Sequence, residues 1–294
     1  MNESAPATNG AAISAQDLRF SYGDIEAVKG ISFDIAPGEI FGFLGPNGAG
    51  KTTTIKMLTG QLRPKAGTVR ILGRDAGRDD PVTQAQIGVC FEEKNLYDAM
   101  SAEENLRFFA ALYDAAGVDT DALLERVGLA DRAGDRVGSY SKGMRQRLMV
   151  ARALVHRPSA LFLDEPTDGL DPVSSKAIRS IIREEAERGA AVLLTTHDMW
   201  EADELSHRVA FINEGRIYAT DTPENLKLQH GQRAVKVRRR DAAGVHEETV
   251  SLDDPGVGEQ LRAAVEADGL MTIHTEEATL ENIFVEMTGR ALEE

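Results

Sequence analysis

The stretch EIFGFLGPNGAGKTTTIKMLTG, residues 39–60, decides the architecture. Its opening run, EIFGFL, is nearly continuous in apolar residues, as in a strand covered on both faces. GPNGAGKT (45–52) then completes a G-x-x-x-x-G-K-[ST] pattern, and TTIKMLTG behind it can be helical. Strand, glycine-rich loop and helix in that order are the context the pattern requires. Glycines let the backbone wrap closely, so that successive N–H groups point at phosphate oxygens. The helix N-terminus adds a partial positive charge. Gly45, Pro46, Asn47, Gly48, Ala49, Gly50, Lys51, Thr52 and Thr53 are therefore the candidate phosphate cradle. Lys51 supplies a full charge to the β- and γ-phosphates, and the Thr52 hydroxyl is placed for Mg²⁺. The bland alternative is a flexible glycine loop.

Further along, ALFLDEP (160–166) is an apolar run ending in two carboxylates. Ligands of open α/β sheets bind at such carboxyl ends of strands. Asp164 can hold Mg²⁺, directly or through water, and Glu165 can accept a proton from an attacking water. AAVLLTTH (190–197) ends in His197 at the same expected sheet edge. Its imidazole can hydrogen-bond a γ-phosphate oxygen and hold the water; a structural or solvated histidine is the alternative.

Other strand-like runs lie at 87–91 (IGVCF) and 208–212 (RVAFI), alternating with helical patterns. Such alternation implies an α/β domain with a largely parallel sheet. SAEENLRFFAALYDAA opens with a capping box, Ser101 and Glu104, and puts Leu106, Phe109, Ala110 and Tyr113 on one face. A second helix follows Ser141, with Met144, Leu148, Ala151 and Val155 as its stripe. Residues 93–158 thus read as a helical insert. Residues 1–15 read as a disordered tail, 16–230 as the main domain and 231–294 as a small α/β appendage. In the appendage a hairpin about DAAG precedes a helix over 257–268, a strand over 270–275 and the terminal helix TLENIFVEMTGR.

Composition narrows the function classes. Hydrophobic residues make up 42% of 294, enough for a sizeable core. No run approaches the ~18 apolar residues of a membrane span, and the N-terminus lacks the pattern of a secretory signal. One cysteine, Cys90, excludes an intramolecular disulfide framework. A net charge of −15 opposes general nucleic-acid binding, so no nucleic-acid partner is expected. The one dense basic run, KVRRR (236–240), alternates like a strand and reads as a solvated face.

YSKGMRQRLMVARAL (140–154) makes the set specific. Together with the phosphate loop, LDEPTDGLDP and His197, it resembles the ATP-binding cassette ATPases over about residues 16–225. The resemblance implies an α/β P-loop NTPase core with a mixed, largely parallel sheet, an inserted helical subdomain and a C-terminal appendage. It further implies ATP and Mg²⁺, and a head-to-tail dimer of two copies with ATP sandwiched between them. Ser141, Lys142 and Gly143 fall on the signature loop that meets the other copy's γ-phosphate. The family's usual LSGGQ is YSKGM here, which keeps the serine and the second glycine. Lys142 adds a cation to the phosphate field or faces solvent. Asp171 falls on the D-loop joining the two sites. Tyr22 matches the aromatic that stacks on adenine; otherwise it is an ordinary strand aromatic.

In VCFEEKNLY (89–97), Glu92 takes the slot of the family's Q-loop glutamine, beside the coupling helix of the membrane subunit. Carboxylate suits Mg²⁺ but adds negative charge near the γ-phosphate. Glu92 is thus a candidate metal-facing γ-phosphate sensor, with a solvated loop residue as the alternative, and Glu93 is expected to face solvent or the partner.

YSKGMRQRL, PTDGLDP and TLENIFVEMTGR look like ATPase subunits of bacterial drug, lipid or polysaccharide exporters. Those pair with a separately encoded polytopic permease and sit peripherally on the cytoplasmic face of the membrane. A translation-type cassette carries two phosphate loops, and only one is present here. A chromosome-organising ATPase needs a long coiled coil between phosphate loop and signature, whereas 90 positions separate Lys51 from Ser141. A simple P-loop kinase gives YSKGM and His197 no role. A soluble cassette ATPase acting in assembly of a non-transport complex stays open as the alternative.

Overall fold

The computed structural model describes residues 10–76, 80–91, 95–115, 117–230, 234–241, 244–276 and 278–289. Glu92 and Glu93 lie outside them. Two compact units divide between Thr220 and Asp221.

In the first unit, β1 (Ile13–Tyr22) pairs antiparallel with β2 (Ile25–Ile35) and β4 (Ala66–Ile71), and the two-residue β5 (Arg74–Asp75) extends the sheet. Residues 13–15, expected in a tail, therefore belong to a strand. Ile13 and Ala15 are fully buried at alternate positions, which drives their pairing.

The second sheet runs β10 (Arg216–Asp221), β9 (Arg208–Asn213), β3 (Ile40–Leu44), β8 (Ala191–Thr196), β7 (Ala160–Asp164), β6 (Ile87–Cys90). β3 is parallel to β8 and β9, and β7 to β6 and β8. Every residue of β3, β7 and β8 is buried. The alternation of a strand splits them between two cores. Phe41, Phe43, Phe162 and Leu193 join the β1–β2–β4 layer and α1 (Lys51–Leu58), with Phe33 stacked at 5.5 Å on Phe41. Ile40, Leu161, Leu163, Val192 and Leu194 join the helices of the opposite face. Exposing one large apolar side chain of either set would forfeit about 1.5–3 kcal/mol of burial.

The short α2 (Pro81–Gln84) leads into β6. The helical insert comprises α3 (Ala102–Leu112), α4 (Thr120–Arg126), two 3₁₀ turns (Ala130–Arg132, Val137–Ser139) and α5 (Lys142–Leu154). The expected capping box is formed: Ser101 Oγ accepts from Glu104 N at 3.1 Å, and Glu104 Oε2 accepts from Ser101 N at 2.7 Å. Leu106 and Ala110 are buried as expected, but Tyr113 caps the helix 38% exposed and stacks on His156 at 3.8 Å. The helix stops a residue short of it, so Tyr113 leaves the apolar stripe. α5 meets β6 at Gly88, where a Cβ would lie 2.4 Å from Ala153 O; strand and helix touch there backbone to backbone. α6 (Pro172–Glu187) and α7 (Met199–Leu205) complete this unit.

The second unit contains α8 (Pro223–His230), the hairpin β11 (Ala234–Asp241) and β12 (Gly244–Ser251), α9 (Val257–Glu266), β13 (Leu270–Glu276) and α10 (Leu280–Thr288). Its sheet runs β12–β11–β13, antiparallel throughout. Val235, Val237 and Val250 pack with Ala264 of α9. The boundary falls before α8, earlier than the expected 230/231, because α8 packs with α10. The basic run on β11 faces carboxylates of β12, with Arg238–Glu247 at 3.4 Å and Arg239–Glu248 at 3.8 Å.

Candidate functional site

The phosphate loop lies between a fully buried strand and the first turn of α1. Gly50 caps that helix at φ 106, a conformation costly for any side chain, and a Cβ there would sit 2.8 Å from Ala27 O. Lys51, buried to 6% exposure, folds back over the loop: its Nζ donates to Gly45 O at 2.6 Å. The same Nζ lies 3.1 Å from Glu165 Oε1, as an ion pair without hydrogen-bond geometry. Thr52 Oγ1 donates to Asp164 Oδ2 at 2.7 Å, joining the helix to the end of β7.

β8 separates β3 from β7 in the sheet, and its Thr195 links the two halves of the site. Thr195 Oγ1 donates to Asp164 Oδ1, and Glu165 N donates to Thr195 O at 3.1 Å. Asp164 is 1% exposed, so its oxygens are held by hydroxyl donors rather than by water. Glu165 stands at φ 50, in the left-handed region that non-glycine residues enter at some cost. This turn aims its carboxylate between Lys51 and His197. Its Oε2 is 2.9 Å from His197 Nδ1 and accepts from His197 N at 3.3 Å. The His197 side chain is half exposed, while that of Glu165 is only 11% exposed.

Lys51, Thr52, Asp164, Glu165 and His197 are thus brought together from three strand ends. Ser141, Lys142 and Gly143 stand at the start of α5 and meet the loop 168–170. Ser141 caps the helix by accepting from Met144 N at 3.2 Å. Lys142 Nζ donates to Asp168 Oδ2 at 2.8 Å, so within this chain its charge faces a carboxylate. Asp171 caps α6, accepting from Val173 N and Ser174 N at 3.0 Å and from Ser174 Oγ at 2.6 Å. These bonds, the Ser174 hydroxyl first, hold its carboxyl below the usual value. Tyr22 ends β1, 49% exposed and edge-on to Phe20 at 4.9 Å, with a face available for stacking. Sequence reading missed Thr195 and the Thr167–Glu201 bond, in which Thr167 Oγ1 donates to Glu201 Oε1 at 2.6 Å. Thr195 stood in the quoted run AAVLLTTH, and only strand register assigns it to Asp164.

The residues fit a magnesium nucleotide. Mg²⁺ takes hard oxygen donors, and the Thr52 hydroxyl and Asp164 carboxylate stand adjacent at the mouth of the loop. The cation of Lys51 and the N-terminus of α1 fit phosphates.

A strand–loop–helix phosphate cradle facing a carboxylate pair at the end of β7, one strand removed, defines a P-loop nucleotide hydrolase. Residues 28–168 match the family described as ABC transporter. The fluoroquinolones export ATP-binding protein of Mycobacterium tuberculosis is 46% identical over 90% of this chain and 89% of its own length. The Nod factor export ATP-binding protein I of Paraburkholderia xenovorans is 38% identical over 97% and 99%. The linearmycin resistance ATP-binding protein of Bacillus subtilis is 33% identical over 95% and 99%. A solved ATP-binding subunit of an ABC transporter superposes with a TM-score of 0.69 at 29% identity, over 75% of this chain and 93% of that one. The chain belongs to the ABC transporter family, as one of its ATP-binding, ATP-hydrolysing subunits. The assembly-ATPase alternative finds no support among these relatives. Among the described residues, no helix is long and apolar enough to cross a membrane. A subunit of a transporter therefore implies a membrane partner.

Proposed function

We propose that this chain drives export of a substrate through a separate polytopic membrane subunit, working as a head-to-tail pair with ATP between two copies. The observation that carries the reading is the Lys51–Glu165–His197 network beside the Thr52–Asp164 bond. Lys51 gives up Glu165 to hold the β- and γ-phosphates. Glu165 takes the proton of the attacking water, and His197 orients that water and the γ-phosphate. Thr52 and Asp164 would hold Mg²⁺, which would supply positive charge to offset that developing on the phosphates. Tyr22 stacks on adenine. Ser141, with the backbone of Gly143, meets the γ-phosphate held by the other copy, and Asp171 lies between the two sites. Because each γ-phosphate contacts both copies, ATP favours the closed pair and hydrolysis removes that preference. The chain then works on the cytoplasmic face of the membrane, where ATP is supplied. Glu92 is assigned the γ-phosphate sensor role from the sequence alone.

Isolation from the native membrane tests the reading. Co-purification with a polytopic membrane protein, and ATP turnover altered by it, is expected. Recovery only with soluble scaffold proteins would overturn the export role.

A further inference from the structure

The turn after β7 is tied twice to the segment that begins with His197. One tie is the Glu165 carboxylate on His197, at the open edge of the site. The other lies deeper: Thr167 Oγ1 donates to Glu201 Oε1 at 2.6 Å, and Glu201 is 1% exposed. Residues 165–167 and 197–201 thereby close a ring with a hydrogen bond at each end.

The buried tie is costly. Burial, opposed by the Thr167 hydroxyl, raises the Glu201 carboxyl above its usual value. Glu201 Oε2 has no hydrogen bond of ordinary geometry among the described residues, although the nearby Thr196 hydroxyl favours the ionised form. An apolar side chain of similar size would fill the same space without that penalty. Across the ring, Glu165 holds a left-handed φ of 50 that persists only where the surroundings over-determine it. Asp198 caps α7 through Trp200 N and Glu201 N at 3.0 and 3.1 Å, which fixes the helix from which Glu201 reaches the turn.

We infer that Glu201 is a positioning residue for ATP hydrolysis: through Thr167 it holds the 165–168 turn against α7 and so sets the Glu165 carboxylate beside His197. The inference rests on the proposed role of Glu165 as base. It requires an acceptor at position 201 rather than a charge, because Thr167 is the donor.

Steady-state ATP turnover by the purified full chain, well below each variant's melting temperature, tests this. Thr167→Val and Glu201→Ala are expected to lower kcat about 10-fold with KM for ATP within about twofold, since misplacing a reacting group costs rate rather than binding. Glu201→Gln keeps the acceptor and restores kcat to within about twofold of wild type. The double variant Thr167→Val/Glu201→Ala is no slower than the worse single, because both remove one bond. Wild-type kcat in both single variants with only a lower Tm, additive losses, or no rescue by Gln overturns the inference. If Glu201→Ala does not fold, Thr167→Val decides alone. Glu165→Gln, run in parallel, separates the two levels. An inactive Glu165→Gln with fully active position-167 and position-201 variants sinks only the positioning role, and an active Glu165→Gln sinks both.

Discussion

Glu165→Gln changes one atom and should move two quantities in opposite directions. Glutamine keeps the shape of the side chain and an oxygen for His197 N, but it cannot take a proton from water. Loss of general-base catalysis lowers kcat by about 10²–10⁴-fold. The second quantity is ATP affinity, and it follows from Lys51. Its Nζ is 3.1 Å from Glu165 Oε1, with side chains 6% and 11% exposed. Two unit charges at that distance attract by roughly 5 kcal/mol at an effective dielectric of about 20. Desolvation of both groups offsets most of this. A net preference of about 1–2 kcal/mol, or roughly 5–30-fold in an equilibrium, is what a phosphate must overcome to recruit the ammonium. Neutralising residue 165 removes the competitor. The variant is therefore expected to bind ATP roughly 5–30-fold more tightly while hydrolysing it at least about 100-fold more slowly. It should also accumulate closed pairs. Titration with a fluorescent ATP analogue, phosphate release and size-exclusion chromatography with ATP measure the three effects. Near-normal hydrolysis would remove Glu165 as base, and unchanged affinity would refute the competition for Lys51.

Other outcomes follow from the same geometry. Lys51→Ala loses the phosphate cation and leaves Glu165 without its ion-pair partner; ATP turnover should fall to background in a phosphate-release assay while circular dichroism stays native. Tyr22→Ala should weaken ATP binding by about 1–3 kcal/mol, the range of base–aromatic stacking, and Tyr22→Phe should bind like wild type in the same titration. Burial pushes the Cys90 thiol up to about 12 from an ordinary value of 9.0, so iodoacetamide at pH 8 should label it only after denaturation. Because the unfolded thiol ionises first, its contribution to stability is complete below pH 9 and is lost as pH rises toward 12. The urea midpoint of wild type should accordingly fall more between pH 8 and 10 than that of Cys90→Ala.

Much of the site was legible because its parts are local. The phosphate loop, the Asp164–Glu165 pair and His197 each end a run of apolar residues, and such runs mark covered parallel strands. β3, β6, β7, β8 and β9 accordingly stand at the expected places. The antiparallel layer of β1, β2 and β4 was less visible, since its strands mix exposed and buried positions and bulges break their alternation. Contacts between distant segments carry no local mark. Thr195 meets Asp164 across 31 positions and Thr167 meets Glu201 across 34. Lys142 shows the same limit: its cation suggested phosphate, and only the fold brings Asp168 to it.

The contact at Gly88 has a mechanical consequence. Ordinary packing meshes side chains like teeth, and a helix so meshed moves by whole steps. Where a strand backbone meets Ala153 O with nothing between them, the two surfaces form a plain bearing. Beside that point α5 is tied to β6 by Arg152, whose Nη2 donates to Val89 O at 3.0 Å, so the bearing is pinned on one side. The helix that carries Ser141 at one end is thus mounted near the other against bare strand backbone, and a single methyl at residue 88 would turn the bearing into a wedge.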